Sequence, residues 1–236
     1  MTALSAQVND FLKSVFPENV KAYITPCAID FAMPEDGVLS DEQLGHLKDQ
    51  GFPVNKIQTM TQIHGDIVLR APLPPHVDWE GDGMITHKPG LVLTIRTADC
   101  LPIFLYDPQN KAVGLVHAGW RGTKAQIAAK ALAAMFEAYR TKPDDVIVAF
   151  GPSIGAEAYE VGAEFKEHFP AETKQSGDKY CFDMAAANRG QLISKGVKEQ
   201  NIRDCGICTF SSQELFSYRR QGKAAGRFMS LIMIKE

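Results

Sequence analysis

No apolar run in these 236 residues approaches the roughly 20 positions that a membrane helix needs, which argues against a membrane-spanning chain. The opening segment, residues 1–10, has no cationic stretch followed by an apolar one, so no signal peptide is expected. Five cysteines, an odd number spread over a long chain, do not make a disulfide framework. The chain therefore reads as cytoplasmic, with reduced thiols. Charge of one sign is also missing. With 25 basic and 28 acidic residues the net charge is −3, which argues against a broad nucleic-acid surface but leaves room for a local basic pocket. Neither G-x-G-x-x-G nor G-x-x-x-x-G-K-[ST] occurs, so Rossmann and P-loop nucleotide binding have no support. H-E-x-x-H is absent, and no histidine is followed two places later by Glu, which removes zincin proteases and the usual zinc deaminases of nucleobases.

What is present is an ordinary globular composition, 45% hydrophobic and 22% charged, with no repeat and no linker-like shift in composition. We expect one domain spanning 1–236. Leu4, Val8, Leu12, Val15 and Phe16 predict an amphipathic helix over 3–16, ended by Pro17. A short helix over 41–50 should stop at Gly51. Pro72, Pro74 and Pro75 mark a loop. Short apolar runs at 67–69, 91–95, 103–106, 113–116 and 146–150 predict buried strands, and 229–234 predicts a C-terminal one. The turn 107–110 makes 101–117 a hairpin. An Ala-rich helix is expected over 123–139 with Thr123 as cap, and another over 183–199 capped by Asp183. The pattern is mixed α/β.

Two familiar motifs carry less than they promise. Cys205-Gly-Ile-Cys208 is half of a structural zinc site at most, and reads as two ordinary reduced cysteines. Gly151-Pro-Ser-Ile-Gly155 matches G-x-S-x-G, but no histidine follows on a separate loop, so it reads as a tight strand exit.

Three other segments place polar residues of the ligand type inside apolar or glycine-rich stretches. They are Gln62-Ile-His64-Gly65, Thr97-Ala-Asp99-Cys100-Leu-Pro102 and His117-Ala-Gly119-Trp120-Arg121-Gly122. Loops between strand ends and helix starts are where such folds put their sites. His64, Cys100 and His117 together are the donor set of a catalytic zinc site, with reduced copper as the other metal that thiolate and imidazole favour. The same residues also permit a metal-free reading, with Cys100 as a nucleophile activated by either histidine. Gaps of 36 and 17 positions are not a metal signature, so spacing alone does not choose. Arg121, between glycines at a helix start, could seat a phosphate, or simply pair with an acid at the surface. Arg219 and Arg220, in Ser217-Tyr-Arg-Arg220, form a second basic spot.

Taken in order from about residue 58 to the C-terminus, these segments resemble the laccase-domain family. Its members are described as multicopper polyphenol oxidase-like proteins, purine nucleoside phosphorylases and peptidoglycan editing factors. Asp82-Gly-Met-Ile-Thr86, Tyr159-Glu-Val-Gly162, Asp183 before the helix carrying Asn188, Cys208-Thr209 and Phe216-Ser-Tyr-Arg-Arg220 belong to the same match. The resemblance implies a layered sandwich of mixed sheets flanked by helices, of the cytotoxic-necrotizing-factor-like cysteine hydrolase type. It implies His64, Cys100 and His117 as ligands, usually to zinc. It implies phosphorolysis of adenosine, inosine, guanosine and methylthioadenosine, with adenosine deamination as a side activity. Purine nucleoside and phosphate are then the small-molecule partners. Arg121 would hold phosphate, Gln62, Arg219 and Arg220 would line the substrate, and Asp99 would move protons.

Departures from the family pattern lie mainly at the N-terminus. Ile24-Thr25-Pro26 and residues 36–40 replace the usual Ser-Thr-Arg and Gly-Gly-Val-Ser elements, and Glu157-Ala158 replaces a frequent Cys pair. Arg96 stands where an apolar residue is usual; lining the pocket, it would favour a more anionic ligand. Competing readings are a cysteine hydrolase, including a peptidoglycan-precursor editing role, and a non-catalytic metal-binding scaffold. A copper oxidase of phenols needs several histidine-rich centres, and six scattered histidines are too few.

Overall fold

The computed structural model describes residues 2–33, 38–74 and 77–236. Asp36 and Gly37 of the atypical N-terminal turn, and Pro75 of the proline loop, lie outside them. The chain begins with α1 (Ala3–Val15), β1 (Val20–Ile24) and α2 (Asp41–Asp49), then β2 (Ile57–Gln58), β3 (Val68–Arg70) and β4 (Gly83–Thr86). The central hairpin follows an approach strand: β5 (Val92–Thr97), β6 (Leu101–Asp107) and β7 (Ala112–Ala118). Next come α3 (Trp120–Lys124), α4 (Ile127–Tyr139), β8 (Ile147–Phe150), β9 (Glu160–Val161), α5 (Phe165–His168), β10 (Thr173–Ser176) and β11 (Lys179–Phe182). The last elements are α6 (Met184–Ser194), β12 (Ile202–Asp204), α7 (Tyr218–Gln221) and β13 (Phe228–Ile234).

Two mixed sheets stack face to face. One has the order β12-β8-β6-β7-β4-β3 and the other β1-β13-β5-β2; β10-β11-β9 form a small third sheet. Every residue of β6 and β7 is buried, because both faces of their sheet are covered. Alternation along β6 divides the core. Ile103 and Leu105 pack toward α4 and α6, while Phe104 and Tyr106 pack toward Leu93, Ile95 and Ile232 of the second sheet. The outer face of that sheet, with Tyr23, Val92 and Leu231, is covered by Leu47 of α2. The result is a layered sandwich of mixed sheets flanked by helices. No helix among the described residues is long and apolar enough to cross a membrane.

The helix expected over 123–139 is two helices. Gln126 adopts a left-handed φ of 60° and breaks it. Thr123 is no cap. It lies inside α3, where its hydroxyl accepts from Asn188 Nδ2 at 2.9 Å and its carbonyl from Gln191 Nε2 at 2.8 Å. The Gln191 side chain thus satisfies a carbonyl that an unbroken helix would have spent on its own ladder. The second expected helix is capped by Asp183, whose Oδ1 accepts from Ala186 N–H, but it ends at Ser194 rather than 199. Gly196 (φ 97°) and Val197 donate back to Ile193 and Leu192, the pattern of a Schellman stop. The hairpin is as expected, with Leu101 opposite Ala118 and Asp107 opposite Ala112.

Candidate metal and anion site

His64 sits in the loop before β3 with a left-handed φ of 57°. Asp82, fully buried just ahead of β4, shapes that loop by accepting three consecutive backbone N–H groups. They come from Ile63 (3.3 Å), His64 (3.0 Å) and Gly65 (2.6 Å). Its Oδ1 also accepts from Nδ1 of His117 at 2.8 Å, at the end of β7. His117 is 2% exposed, and its backbone N–H donates to the Asp82 carbonyl. One carboxylate therefore fixes both imidazole-bearing segments. Burial alone would raise its pKa, but the bonds from His117, Gly65 and His64 hold it below the usual aspartate value.

Cys100 follows Asp99, whose φ of 86° turns the chain tightly from β5 into β6. The hairpin then brings Cys100 beside His117. With Nδ1 of His117 committed to Asp82, Nε2 faces the thiol. The ligand atoms of His64, Cys100 and His117 all lie within 4.8 Å of one another, and the two imidazole rings meet edge to face at 4.7 Å. Burial opposes ionisation of the thiol, yet the His117 charge and bonds from both imidazoles lower its pKa; burial lowers the His117 pKa, while Cys100 and Asp82 raise it. These donors fit a metal ion. Sulfur and two nitrogens converge, one face stays exposed through His64, and Asp82 fixes the tautomer of a ligand. Space beside the cluster is short: a Cβ on Gly119 would press on Cys100 Sγ at 3.1 Å, and one on Gly122 would clash with the Gly65 carbonyl at 2.8 Å.

Asp99 is spent as a tie. Its Oδ1 accepts from Thr209 Oγ1 and its Oδ2 from Arg219 N–H, each at 2.6 Å, while its carbonyl accepts from Ile154 N–H. It thereby holds the Gly151–Gly155 exit, the Cys208–Thr209 segment and α7 against the Cys100 turn. Ser153 is buried in that exit, bonded through its backbone to Ile207 and Thr209. Gly151 is there for space, since a Cβ would meet Ile24 and Pro102 at 2.8 Å. Cys205 and Cys208 carry separate thiols. Burial pushes Cys205 up to about 12; for Cys208 bonds from Ser211 and Gly155 outweigh burial and lower it.

The basic residues divide. Arg121 is exposed, with its guanidinium 4.7 Å over the Trp120 ring and in no hydrogen bond or ion pair among the described residues. The Arg219 guanidinium lies 5.3 Å over the Tyr159 ring and gives one bond, to the Glu160 carbonyl. Arg220 is consumed by the chain, donating to the carbonyls of Thr209, Phe210 and Leu215. Gln62 is likewise occupied, clasping the backbone N–H and carbonyl of Arg96. Arg96 turns its guanidinium to the Met60 carbonyl and the Met33 sulfur, and burial brings its pKa down to about 10. Asp82 and Tyr159 were not assigned roles from sequence. For Asp82 the signal was there: an acid directly before the apolar run Gly83–Ile85.

Residues 40–235 match the family model described as multi-copper polyphenol oxidoreductase laccase. A purine nucleoside phosphorylase of Bacteroides thetaiotaomicron is 39% identical over 195 residues, 78% of this chain and 72% of that protein. The purine nucleoside phosphorylase YfiH of Escherichia coli is 33% identical over 182 residues, 74% and 72% of the two chains. The crystal structure of YlmD from Geobacillus stearothermophilus superposes with a TM-score of 0.83 at 25% identity, covering 93% of each chain. That of a hypothetical YfiH protein from Bacillus licheniformis gives 0.81 at 24% identity, over 92% of this chain and 93% of that one. With the fold, the motifs and these relatives in agreement, the chain belongs to the laccase-like family that includes YfiH.

Proposed function

We propose that this chain is a zinc-dependent purine nucleoside phosphorylase. It would convert adenosine, inosine, guanosine or methylthioadenosine with phosphate to free base and ribose 1-phosphate, with adenosine deamination as a side activity. The observation that carries the reading is the convergence of His64, Cys100 and His117 on one point, backed by Asp82, together with the Arg121 and Arg219 guanidinium groups, which hold no carboxylate among the described residues. Relatives named purine nucleoside phosphorylase support the same activity. Five free thiols fit a reducing cytoplasm.

Phosphate must attack C1′ of the ribose while the purine leaves. Arg121 and Arg219 bind and orient the anion, converting a collision into a positioned displacement. Asp82 holds His117 so that Nε2, not Nδ1, points into the site. Zinc, held by His64, Cys100 and His117, would supply Lewis-acid polarisation of a substrate oxygen. Asp99 keeps the α7 segment closed on the Cys100 turn. The test is product analysis with inosine and phosphate on zinc-loaded protein. Hypoxanthine with ribose 1-phosphate from wild type, and neither from Cys100→Ala, is the expected result; base release absent despite bound zinc overturns it.

One arrangement favours a second reading, a cysteine hydrolase of the fold type that the resemblance implies. Cys100, His117 and Asp82 stand in the order nucleophile, base and orienting carboxylate. Such an enzyme keeps its activity when zinc is chelated and loses it on alkylation of Cys100.

A further inference from the structure

We infer that Tyr159 is a phosphate-contacting residue, its phenol O–H joining the guanidinium groups of Arg121 and Arg219 as the third donor of one oxyanion seat. The inference deepens the phosphorolysis reading and takes its substrate from it.

The rings that carry these donors are fixed. Tyr159 packs against Phe182 at 5.7 Å and Phe165 at 6.4 Å, and Trp120 packs on the same Phe165 at 5.2 Å. Phe165 and Phe182 are buried, so Trp120 and Tyr159 are two branches of one aromatic support. Each branch carries a guanidinium, Arg121 on Trp120 and Arg219 on Tyr159. The backbone pins the tyrosine too: its N–H donates to Gly155 and its carbonyl accepts from Phe182.

The hydroxyl is unspent. It makes no hydrogen bond among the described residues, and it is not among the side-chain atoms sealed from solvent without a partner. Burial is the main reason its pKa is raised; the charges of Cys100 and Asp99 add to this, and those of Arg219 and Arg121 oppose it. The phenol therefore lies within the field of the Cys100 site and both guanidinium groups, and stays an O–H donor at any working pH. Acceptors nearby are already used. Asp99 is tied to Thr209 and the Arg219 N–H, and the Glu160 carboxylate pairs with Lys179 at 2.8 Å. Three donors carried on one aromatic support suit an anion with several oxygens, which phosphate is and a purine is not.

The test compares zinc-loaded wild type with Tyr159→Phe, which keeps the ring and removes only the hydroxyl. Inorganic phosphate alone is titrated by 31P NMR or calorimetry, and KM is measured for phosphate and for inosine separately. The expected result is about tenfold weaker phosphate binding and a similar rise in phosphate KM, the scale of one hydrogen bond to a charged group. Inosine KM and zinc content should not move. Phosphate binding weakened in this way without any base release from wild type keeps Tyr159 in the seat and removes phosphorolysis. Base release with unchanged phosphate KM in Tyr159→Phe removes Tyr159 and keeps phosphorolysis. Failure of wild type to bind phosphate overturns the inference.

Discussion

The two walls of the site are built on opposite plans. On the histidine wall the supporting carboxylate is committed before any ligand arrives: Asp82 accepts from Ile63, His64, Gly65 and His117. On the arginine wall the Arg121 guanidinium and the Tyr159 hydroxyl have no hydrogen-bond partner among the described residues, and the Arg219 guanidinium has one. A ligand set for a metal must be held rigidly, because the ion rewards geometry. An anion seat gains from donors that stay hydrated until the anion replaces water. On the proposed function, this contrast would separate the part of the site that holds an ion from the part that meets the substrate.

That contrast can be broken at several points. The largest effect belongs to the ligands themselves. Cys100→Ala or His117→Ala should lower zinc affinity by more than about 100-fold, the upper range for losing an outer partner, with metal content after gel filtration as the measure. Next comes Asp82→Asn. Its amide would set a donor against backbone N–H groups, and zinc affinity should fall about 10- to 100-fold in competition with a chelator. Unchanged affinity would make Asp82 a loop-former only.

The arginines sharpen the comparison by failing differently. Arg121→Ala should raise phosphate KM about tenfold while leaving the urea midpoint alone, since the residue is exposed and unpaired. Arg220→Ala should strip donors from three carbonyls and cost about 2 kcal/mol in urea unfolding, with a smaller direct effect on phosphate. The smallest signal is optical. Because burial raises the Tyr159 pKa, the native state holds that proton above the ordinary tyrosine value of 10.0, where the unfolded chain releases it. Stability from this group is complete below pH 10 and declines above it. Absorbance at 295 nm should therefore match between wild type and Tyr159→Phe through pH 10, and diverge only as the fold opens at higher pH.

Much of this was legible in the residues because β6 and β7 carry nearly continuous apolar runs, and such runs in an α/β chain read as buried strands. The ligand trio was legible as residue types at strand ends, while their convergence was not; it depends on hairpin register and on a carboxylate 35 positions from His117. The helix break at Gln126 was hidden because the sequence there is good helix throughout. What accompanies the end of α3 is remote, the side chains of Asn188 and Gln191 reaching Thr123. The small sheet of β9, β10 and β11 went unread because Lys174, Gln175 and Ser176 have no apolar alternation to show.

The central hairpin turns inter-ligand distance into a matter of counting. Its tip, held by Asp107 accepting from Gln109 and Asn110, is at one end, and Pro102 faces His117 near the other. Cys100 and His117 are therefore coupled through seven cross-strand partners and not through the loops around them. Because turn type and length set the register of a hairpin, sliding the strands by one step at the tip would turn His117 to the opposite face of the sheet. The turn at Asp107–Asn110 thus reaches the candidate ligands from the far end of the sheet, through register and without contact.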